Sequence, residues 1–262
     1  MRIFKKIFSF IKWTIMLAIV FAIAFIVAGG ANNYIFSSVE NTAKTESTNG
    51  LSPGTLDRIS RVVFLKRAVQ AKIDKDNYVK LQDIPEAMQE AIIAVEDRKF
   101  YNHYGFDLQG IMRASLVNLQ YGEVKEGAST ITQQLVKNMF LSQQQSYGRK
   151  AEELLLSLDM ELNYSKEEIL ELYLNSIYFG SGYYGIREAA QGYFGKEPSQ
   201  LNLSEAAMLA GIPNAPSLYS PYVDFMRAKK RQFIVIDAMV AAGYLRENVA
   251  DDAKIKPLYL DH

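Results

Sequence analysis

The sequence predicts a mainly α-helical domain that follows one N-terminal transmembrane helix. Over most of the chain, apolar residues recur at helical spacing, for example at Ala87, Ala91 and Val95. Strand-like alternation is scarce and limited to residues 62–65 and 78–81. An apolar stretch near the N-terminus lies outside this pattern. We therefore expect a helical fold behind a membrane segment.

The membrane segment is predicted from charge and hydropathy. Four basic residues precede an uncharged run that begins at Trp13 and ends only at Glu40. Its apolar part, residues 13–28, approaches the roughly 20 residues that cross a bilayer. The basic flank predicts a cytoplasmic N-terminus and an extracellular remainder. Small residues at 28–30 leave a cleavable signal peptide as the alternative. The predicted organisation is a basic tail at 1–12, a transmembrane helix at 13–33, a connector at 34–60 and a domain at 61–262.

Charge and cysteine content exclude several classes of protein. The chain has 29 basic and 29 acidic residues, and without the four basic residues before Trp13 the balance is 25 to 29. A mildly acidic exported part argues against nucleic-acid binding, which needs a basic surface. The absence of cysteine excludes disulfides and thiolate metal sites.

Helix boundaries are predicted from capping residues and glycines. Ser165 and Glu168 have the spacing of a capping box, Ser204 is expected to cap a short helix, and Gly243 is expected to end the last long one. The predicted helices cover residues 83–95, 108–119, 148–162, 165–175, 204–211 and 224–242.

Residues 127–138 read GASTITQQLVKN and concentrate polar side chains behind a glycine. Ser129, the adjacent amides of Gln133 and Gln134, and Lys137 cannot all face an apolar core. A buried polar group without a hydrogen bond costs about 1–3 kcal/mol. The pattern fits a segment shaped around a polar or anionic ligand. A Ser-capped helix with a solvated face explains the same residues, and composition leaves both interpretations open.

Glu96 ends the apolar face of the helix predicted after Pro85. The helix dipole and burial against Val95 would both raise the pKa of its carboxyl group, as a general base near neutral pH requires. Arg98 and Lys99 oppose that shift, so its direction stays open here. A solvated cluster of charges at a helix end is the alternative.

Glu153 lies one helical turn after Arg149, with Lys150 between them, so Arg149 and Glu153 share a helix face. An exposed ion pair worth about 0.3–0.5 kcal/mol is the simplest interpretation. The functional alternative is a carboxylate pair with Glu96, since glycosyl chemistry often uses one acid for the nucleophile and one for the leaving group, but spacing alone does not bring the two residues together. Lys137 and Arg149 would then bind a diphosphate leaving group. No Gly-rich phosphate loop occurs, which argues against a nucleotide donor.

Five segments in a fixed order carry a resemblance to a known family. Together they resemble the motifs of the peptidoglycan glycosyltransferases, family 51 of the glycosyltransferases. The segments are EDRKFYNHYG (96–105), GASTITQQLVKN (127–138), RKAEE (149–153), EILELYLNSIYFG (168–180) and AAMLAGIPNAPS (206–217).

The resemblance implies a fold and a reaction. The fold would be a lysozyme-like helical glycosyltransferase domain with a head and a membrane-proximal jaw, to which residues 106–126 belong. Glu96 matches the general base that activates the 4-hydroxyl of lipid II for inverting attack on C1 of the muramyl sugar. Glu153 matches a second carboxylate that assists departure of polyprenyl diphosphate, although the neighbouring Glu152 leaves open which of the two faces the groove. The implied substrate-binding residues are Arg98, Phe100, Ser129, Gln133, Gln134, Lys137, Arg149, Lys150 and Tyr178.

The resemblance also implies partners and a location. These are lipid II, the growing polyprenyl-diphosphate-linked glycan, the bacterial cell membrane with the catalytic domain outside, and penicillin-binding proteins. Family members often respond to Mg²⁺ or Mn²⁺, but no metal-ligand spacing indicates a site, and no organic cofactor is expected. Because the chain reaches His262 without the Ser-x-x-Lys, Ser-x-Asn and Lys-Thr-Gly set, we expect a monofunctional enzyme without transpeptidase activity.

Two other functions compete with this interpretation. A lysozyme-like, glycan-cleaving enzyme would use a similar helical scaffold and an acidic residue. It would not need Lys137 and Arg149, or a membrane anchor. A non-catalytic, membrane-anchored protein that binds cell-wall precursor is the second alternative.

Overall fold

The computed structural model describes residues 65–121, 127, 129–141 and 147–261. The chain divides into two compact units, residues 1–58 with 142–152 and residues 59–141 with 153–262. The first unit is described only at residues 147–152, which are helical. The predicted basic tail, transmembrane helix and connector (1–12, 13–33 and 34–60) lie outside the described residues.

The described residues are mainly helical, as predicted. Their only β-structure is two isolated bridges, Tyr104 to Phe106 and Tyr178 to Tyr184. No helix within these ranges has both the length and the apolar character that a bilayer crossing requires. The helices are α1 (Leu65–Gln70), α2 (Glu86–Glu96), α3 (Leu108–Tyr121), α4 (Ile131–Phe140), α5 (Tyr147–Asn163), α6 (Lys166–Ser176), α7 (Gly185–Phe194), α8 (Leu203–Gly211), α9 (Pro216–Tyr219), α10 (Phe225–Ala241) and α11 (Glu247–Ile255).

The core of the second unit forms where α2, α8 and α10 pack against one another. Helix α8 reads LSEAAMLAG, and every residue from Ser204 to Gly211 is buried. Its three alanines and one glycine allow the neighbouring helices to approach closely. Met88, Ile92 and Val235 are fully buried in the same core. This packing fixes the carboxyl end of α2, where Glu96 lies.

Three residues were expected to cap or end a helix, and two of these predictions are confirmed. Ser165 and Glu168 form the capping box of α6, with backbone–side-chain hydrogen bonds of 2.7 and 3.2 Å. Gly243 follows α10 with φ of +83°, a conformation that favours glycine. The prediction for Ser204 is wrong. Asn202 caps α8 instead, and the Ser204 hydroxyl, one residue inside the helix, donates to the Ala253 carbonyl over 2.6 Å.

The strand candidate at residues 78–81 is not a strand, because side chains of α6 form hydrogen bonds with its backbone groups. The Val79 N–H donates to Asn175 Oδ1 over 2.7 Å, and Asn175 Nδ2 donates to the Val79 carbonyl over 2.8 Å. Glu171 Oε2 accepts from the Leu81 N–H over 2.8 Å. A segment whose backbone groups are satisfied in this way needs no partner strand.

Candidate active site

Glu96 is the last residue of α2, and its side chain is only 6% exposed. The negative end of the helix dipole lies at this position. Core packing of α2 against α8 and α10 therefore places a carboxylate where charge is costly. Such a carboxylate needs specific partners.

The two carboxylate oxygens of Glu96 have different surroundings. Oε2 accepts a hydrogen bond from Gln134 Nε2 over 2.8 Å. Gln134 Oε1 in turn accepts from the hydroxyl of Tyr173 over 3.0 Å. Oε1 of Glu96 is buried and has no hydrogen-bond partner, and Arg231 Nη2 lies 3.8 Å from it. The carboxylate is thus held through one oxygen and retains the lone pairs of the other.

Opposing effects act on the pKa of Glu96, and the net direction is upward. Burial is the largest effect and raises the pKa. The hydrogen bond from Gln134 and the charges of Arg231 and Lys137 lower it, whereas Asp97 raises it further. A carboxyl group with a raised pKa is a stronger base, so the environment suits Glu96 to proton abstraction nearer to neutral pH.

Asp97 joins the segment after α2 to the start of α4. Its two oxygens lie 3.0 and 2.9 Å from His103 Nε2, and Oδ2 also accepts from the Ile131 N–H over 3.0 Å. A carboxylate at a helix N-terminus satisfies a free N–H group and interacts favourably with the dipole. Asp97 therefore fixes Gln134 and Lys137, both on α4, relative to Glu96.

Thr130 and Gly105 make a second connection between the same two segments. Thr130 is the N-cap of α4 and donates its hydroxyl to the Gly105 carbonyl over 2.7 Å. Gly105 has φ of +72°, and a Cβ there would lie 3.0 Å from the backbone of Ser157. Only glycine fits this close approach without strain.

A cavity of about 790 Å³ opens beside Glu96. All the described residues that line it belong to the second unit. Its charged lining residues are mostly cationic, which suits an anionic ligand. They are Arg98, Lys99, Arg113, Lys137 and Arg231 against Glu96, Asp97 and Asp107.

Comparison with known proteins places this arrangement in a family. The model of the family described as "Transglycosylase" matches residues 64–240. The chain belongs to the transglycosylase family. This is a family of glycosyltransferases, and the resemblance of the five sequence segments is thereby confirmed.

Several transglycosylase relatives are similar in sequence. Penicillin-binding protein 1A of Aquifex aeolicus is 45% identical over 186 residues, which are 71% of this chain and 26% of that protein. A candidate transglycosylase of Cupriavidus necator is 45% identical over 184 residues, which are 70% of this chain and 79% of that protein. The crystal structure of penicillin-binding protein 1A from Haemophilus influenzae matches with a TM-score of 0.43 at 27% identity, covering 70% of this chain and 18% of that one. The chain thus spans about a quarter of the length of the Aquifex protein.

Five of the predicted site residues of this chain lie together. Glu96 is the predicted base, and the other four were predicted to bind substrate. All five line the cavity: Glu96, Arg98, Ser129, Gln134 and Lys137.

Phe100 and Gln133 are buried and are not among the described residues that line the cavity, so their predicted contact with substrate stays a prediction. Phe100 is 0% exposed, and the ammonium of Lys166 lies 4.5 Å from its ring centroid. Gln133 is 2% exposed, and its Oε1 accepts from the Thr130 N–H over 3.0 Å in the capping box of α4. The cap engages the amide oxygen of Gln133.

Tyr178 is half-buried, and its ring packs against Tyr184 with 4.7 Å between the centroids. Neither tyrosine is among the described residues that line the cavity. The predicted role of Tyr178 in substrate binding therefore stays a prediction.

The remaining predicted residues lie in α5. Glu153 belongs to the second unit, is 2% exposed and is not among the described residues that line the cavity. One helical turn later, the hydroxyl of Ser157 donates to the backbone carbonyl of Glu153 over 2.6 Å. Arg149 and Lys150 belong to the first unit. The roles of all three stay predictions.

Sequence reasoning missed Arg231 and Arg113 as cavity residues. Arg231 belongs to a basic run, Lys229 to Arg231, inside a helix whose bounds were predicted correctly. That run could have indicated an anion-binding face. Which of its side chains turns towards Glu96 depends on the packing of α10 against α2.

The described residues do not fit a protein-built site for Mg²⁺ or Mn²⁺. Among them, no group of three or more His, Asp or Glu side chains could hold a metal ion. Asp97 is occupied by His103 and the Ile131 N–H, and Asp107 Oδ1 accepts from the Gln109 N–H over 3.1 Å.

Proposed function

We propose that this chain is an inverting peptidoglycan glycosyltransferase that polymerises lipid II into β-1,4-linked glycan and releases polyprenyl diphosphate. The family supports glycosyl transfer to peptidoglycan, and the cavity supports a diphosphate-linked donor. The observation that carries the proposal is that Glu96 lines a mostly cationic cavity while its buried Oε1 has no hydrogen-bond partner.

The proposed step begins with proton transfer. The 4-hydroxyl of the acceptor lipid II donates its proton to Glu96 Oε1 as its oxygen attacks C1 of the muramyl sugar. The new O4–C1 bond forms as the bond from C1 to the diphosphate oxygen breaks, and attack from the opposite face converts α to β. The bond electrons leave on the diphosphate, and the proton on Glu96 is later released to solvent.

Cationic side chains would stabilise the leaving group. Negative charge grows on the diphosphate as the sugar bond breaks, and preorganised cations act most strongly where water is excluded. Lys137 and Arg98 line the cavity, as does Arg113 on α3. Glu153 is proposed as the second carboxylate, which supports departure of this group.

Membrane contact is proposed for α3. Four of its exposed apolar side chains are spaced four, four and three residues apart and therefore share one face. A face of this kind on a domain that handles a lipid-linked substrate fits a membrane-dipping jaw. The side chains are Leu108, Met112, Leu116 and Leu119, exposed by 54, 60, 67 and 82%.

The proposal extends to location and to the reactions that the chain performs. We propose one transmembrane helix, an extracellular catalytic domain, no transpeptidase activity and penicillin-binding proteins as partners. A lipid II reaction supplemented with Mg²⁺ or Mn²⁺, or with a chelator, would measure any metal requirement. Incubation with labelled penicillin should give no covalent adduct if the chain lacks transpeptidase activity.

The central test compares the full-length protein with its Glu96→Gln variant on lipid II in detergent. The wild-type protein should produce polymeric glycan, and the variant should lose about 10²–10⁴-fold in rate because it lacks the base. Glu90→Gln is the matched control, since Glu90 lies on the same helix and away from the cavity. A Glu96→Gln variant as fast as the wild type would contradict the mechanism. Release of soluble fragments from preformed glycan, without lipid II, would instead favour the lysozyme-like alternative.

A further inference from the structure

Arg231 approaches Glu96 closely without forming a hydrogen bond to it. Its Nη2 lies 3.8 Å from Glu96 Oε1, beyond hydrogen-bond range, and the Arg231 side chain is 13% exposed. A guanidinium at this distance stabilises the negative charge of the carboxylate. It leaves the lone pairs of Oε1 available to another donor.

Arg231 is held in place by residues from the end of α8 and from α9. Its Nε donates to the Gly211 carbonyl over 3.4 Å, and its guanidinium carbon lies 5.5 Å from the ring centroid of Tyr219. A Cβ on Gly211 would lie 2.8 Å from Arg231 Cγ, too close for the stem of the side chain to keep its position. The glycine therefore makes room for the arginine.

We propose that Arg231 is a positioning residue for Glu96, and that residues 211–219 form a cradle that keeps its guanidinium beside that carboxylate. The inference rests on the proposed role of Glu96 as the base. The fifth sequence segment, AAMLAGIPNAPS, would then contribute to the reaction because its Gly211 holds Arg231 in place.

The other groups around Glu96 do not duplicate this task. Asp97 is adjacent in sequence and negatively charged. Gln134 and Tyr173 supply a neutral hydrogen-bond chain to Oε2. The only ionisable residue of α8 is Glu205, which pairs with Lys196 at 2.6 Å. The remaining charged groups of the cavity are Lys137, Arg98, Lys99, Asp107 and Arg113.

Lys137 is the other cation that lowers the pKa of Glu96, and it also lines the cavity. A bound diphosphate would compete for its ammonium. Arg231 is fixed by Gly211 and Tyr219 and would keep its place when the substrate binds. The cradle thus provides a positive charge that remains with the base through the proton transfer.

The test is the pH dependence of kcat/KM for lipid II polymerisation by the full-length protein. In Arg231→Gln the acid limb should move upward by about one pH unit, because an opposite charge within 4–6 Å shifts a carboxyl pKa by about 1–3 units. Arg231→Lys should move the acid limb less, since lysine keeps the positive charge but loses the contact of the guanidinium with the Tyr219 ring. Gly211→Ala should move it in the same direction by displacing the side chain. Arg227→Gln is the control, as Arg227 lies on the same helix, is 60% exposed and pairs with Asp224.

A second readout does not need activity. The carboxyl resonance of Glu96 in ¹³C-glutamate-labelled protein, identified by its absence in Glu96→Gln, should titrate at higher pH in Arg231→Gln than in the wild type. Coinciding acid limbs and coinciding titrations would overturn the inference, even if Arg231→Gln lowers the melting temperature. Failure of the wild-type protein to polymerise lipid II would overturn the proposed function instead. The two failures are therefore distinguishable.

Discussion

The hydroxyl of Tyr173 donates to Gln134 Oε1 over 3.0 Å, and this contact sets which end of the Gln134 amide faces Glu96. Tyr173 is fully buried, and burial together with the charges of Glu96 and Asp97 raises its pKa well above 10.0. The phenol therefore stays protonated and acts as a donor. With Oε1 occupied, Gln134 presents Nε2 to the carboxylate. Tyr173 thus orients the base Glu96 indirectly, through the amide of Gln134.

Replacing Tyr173 with Phe should weaken this orientation. Loss of the hydroxyl leaves the buried Oε1 of Gln134 without a donor, which should cost about 1–3 kcal/mol of folding free energy. The amide can then rotate, so kcat/KM should fall by about tenfold, for a loss of roughly 1.4 kcal/mol. Chemical denaturation and lipid II polymerisation measure the two effects. An activity equal to wild type in a measurably destabilised variant would show that Tyr173 has only a structural role.

The stability of the protein should depend on pH through Glu96. Because folding raises the pKa of this carboxyl group above its ordinary value of 4.5, the folded state binds more protons than the unfolded state in that window. Stability from this group therefore falls as pH rises from 4.5 through the raised folded value. Glu96→Gln should be more stable than wild type at pH 7, where the wild-type carboxylate bears the cost of burial. The difference should vanish below about pH 4.5 in urea denaturation. A variant that gains no stability over the wild type between pH 4 and pH 7 would contradict this.

Asp97→Asn should destabilise the fold. Asp97 is 7% exposed, and the substitution weakens its charge-assisted contacts to His103 and to the Ile131 N–H. Hydrogen bonds to charged groups contribute about 1.5–3 kcal/mol, so a loss of about 2 kcal/mol is expected in guanidinium denaturation. Asp251→Asn, on the exposed surface of α11, should change stability by less than about 0.5 kcal/mol. Equal effects of the two substitutions would refute the structural role of Asp97.

Gly105→Ala should disturb both the fold and the site. The added Cβ combines a positive φ with a 3.0 Å approach to Ser157, so a cost of about 1–3 kcal/mol is expected. Gly182→Ala is the control for backbone strain alone, since Gly182 has φ of +90° but no atom lies within 4 Å of the position that its methyl group would take. Thermal unfolding should therefore show a larger loss for Gly105→Ala. If Gly182→Ala costs as much, the contact with Ser157 is unimportant.

The apolar face of α3 should contact lipid. In full-length protein reconstituted with a photoactivatable phospholipid, peptides from Leu108–Tyr121 should be labelled, and Leu119→Glu should reduce that labelling by about tenfold. Leu162→Glu is the matched control, since Leu119 and Leu162 are both 82% exposed. Labelling of α3 no stronger than labelling of residues 153–163 would exclude the proposed jaw.

Local sequence patterns predicted much of the helical structure. The capping box of Ser165 and the glycine after α10 act over a few residues, so they can be recognised without the fold. One error arose where distant side chains decide, and the other where two nearby residues could cap the same helix. Residues 78–81 have the alternation of a strand, but Asn175 and Glu171 occupy their backbone groups. Ser204 has a good capping side chain, but Asn202 lies two residues earlier and caps α8.

The sequence by itself determined the helical class and the family, because ordered motifs and helical periodicity are local in the chain. Only the tertiary structure decided the state of Glu96. Its burial, the chain from Tyr173 through Gln134, and the cradled Arg231 come from helices far apart in sequence. Desolvation and charge act through space, so the direction of the pKa shift became clear only when these helices were packed together.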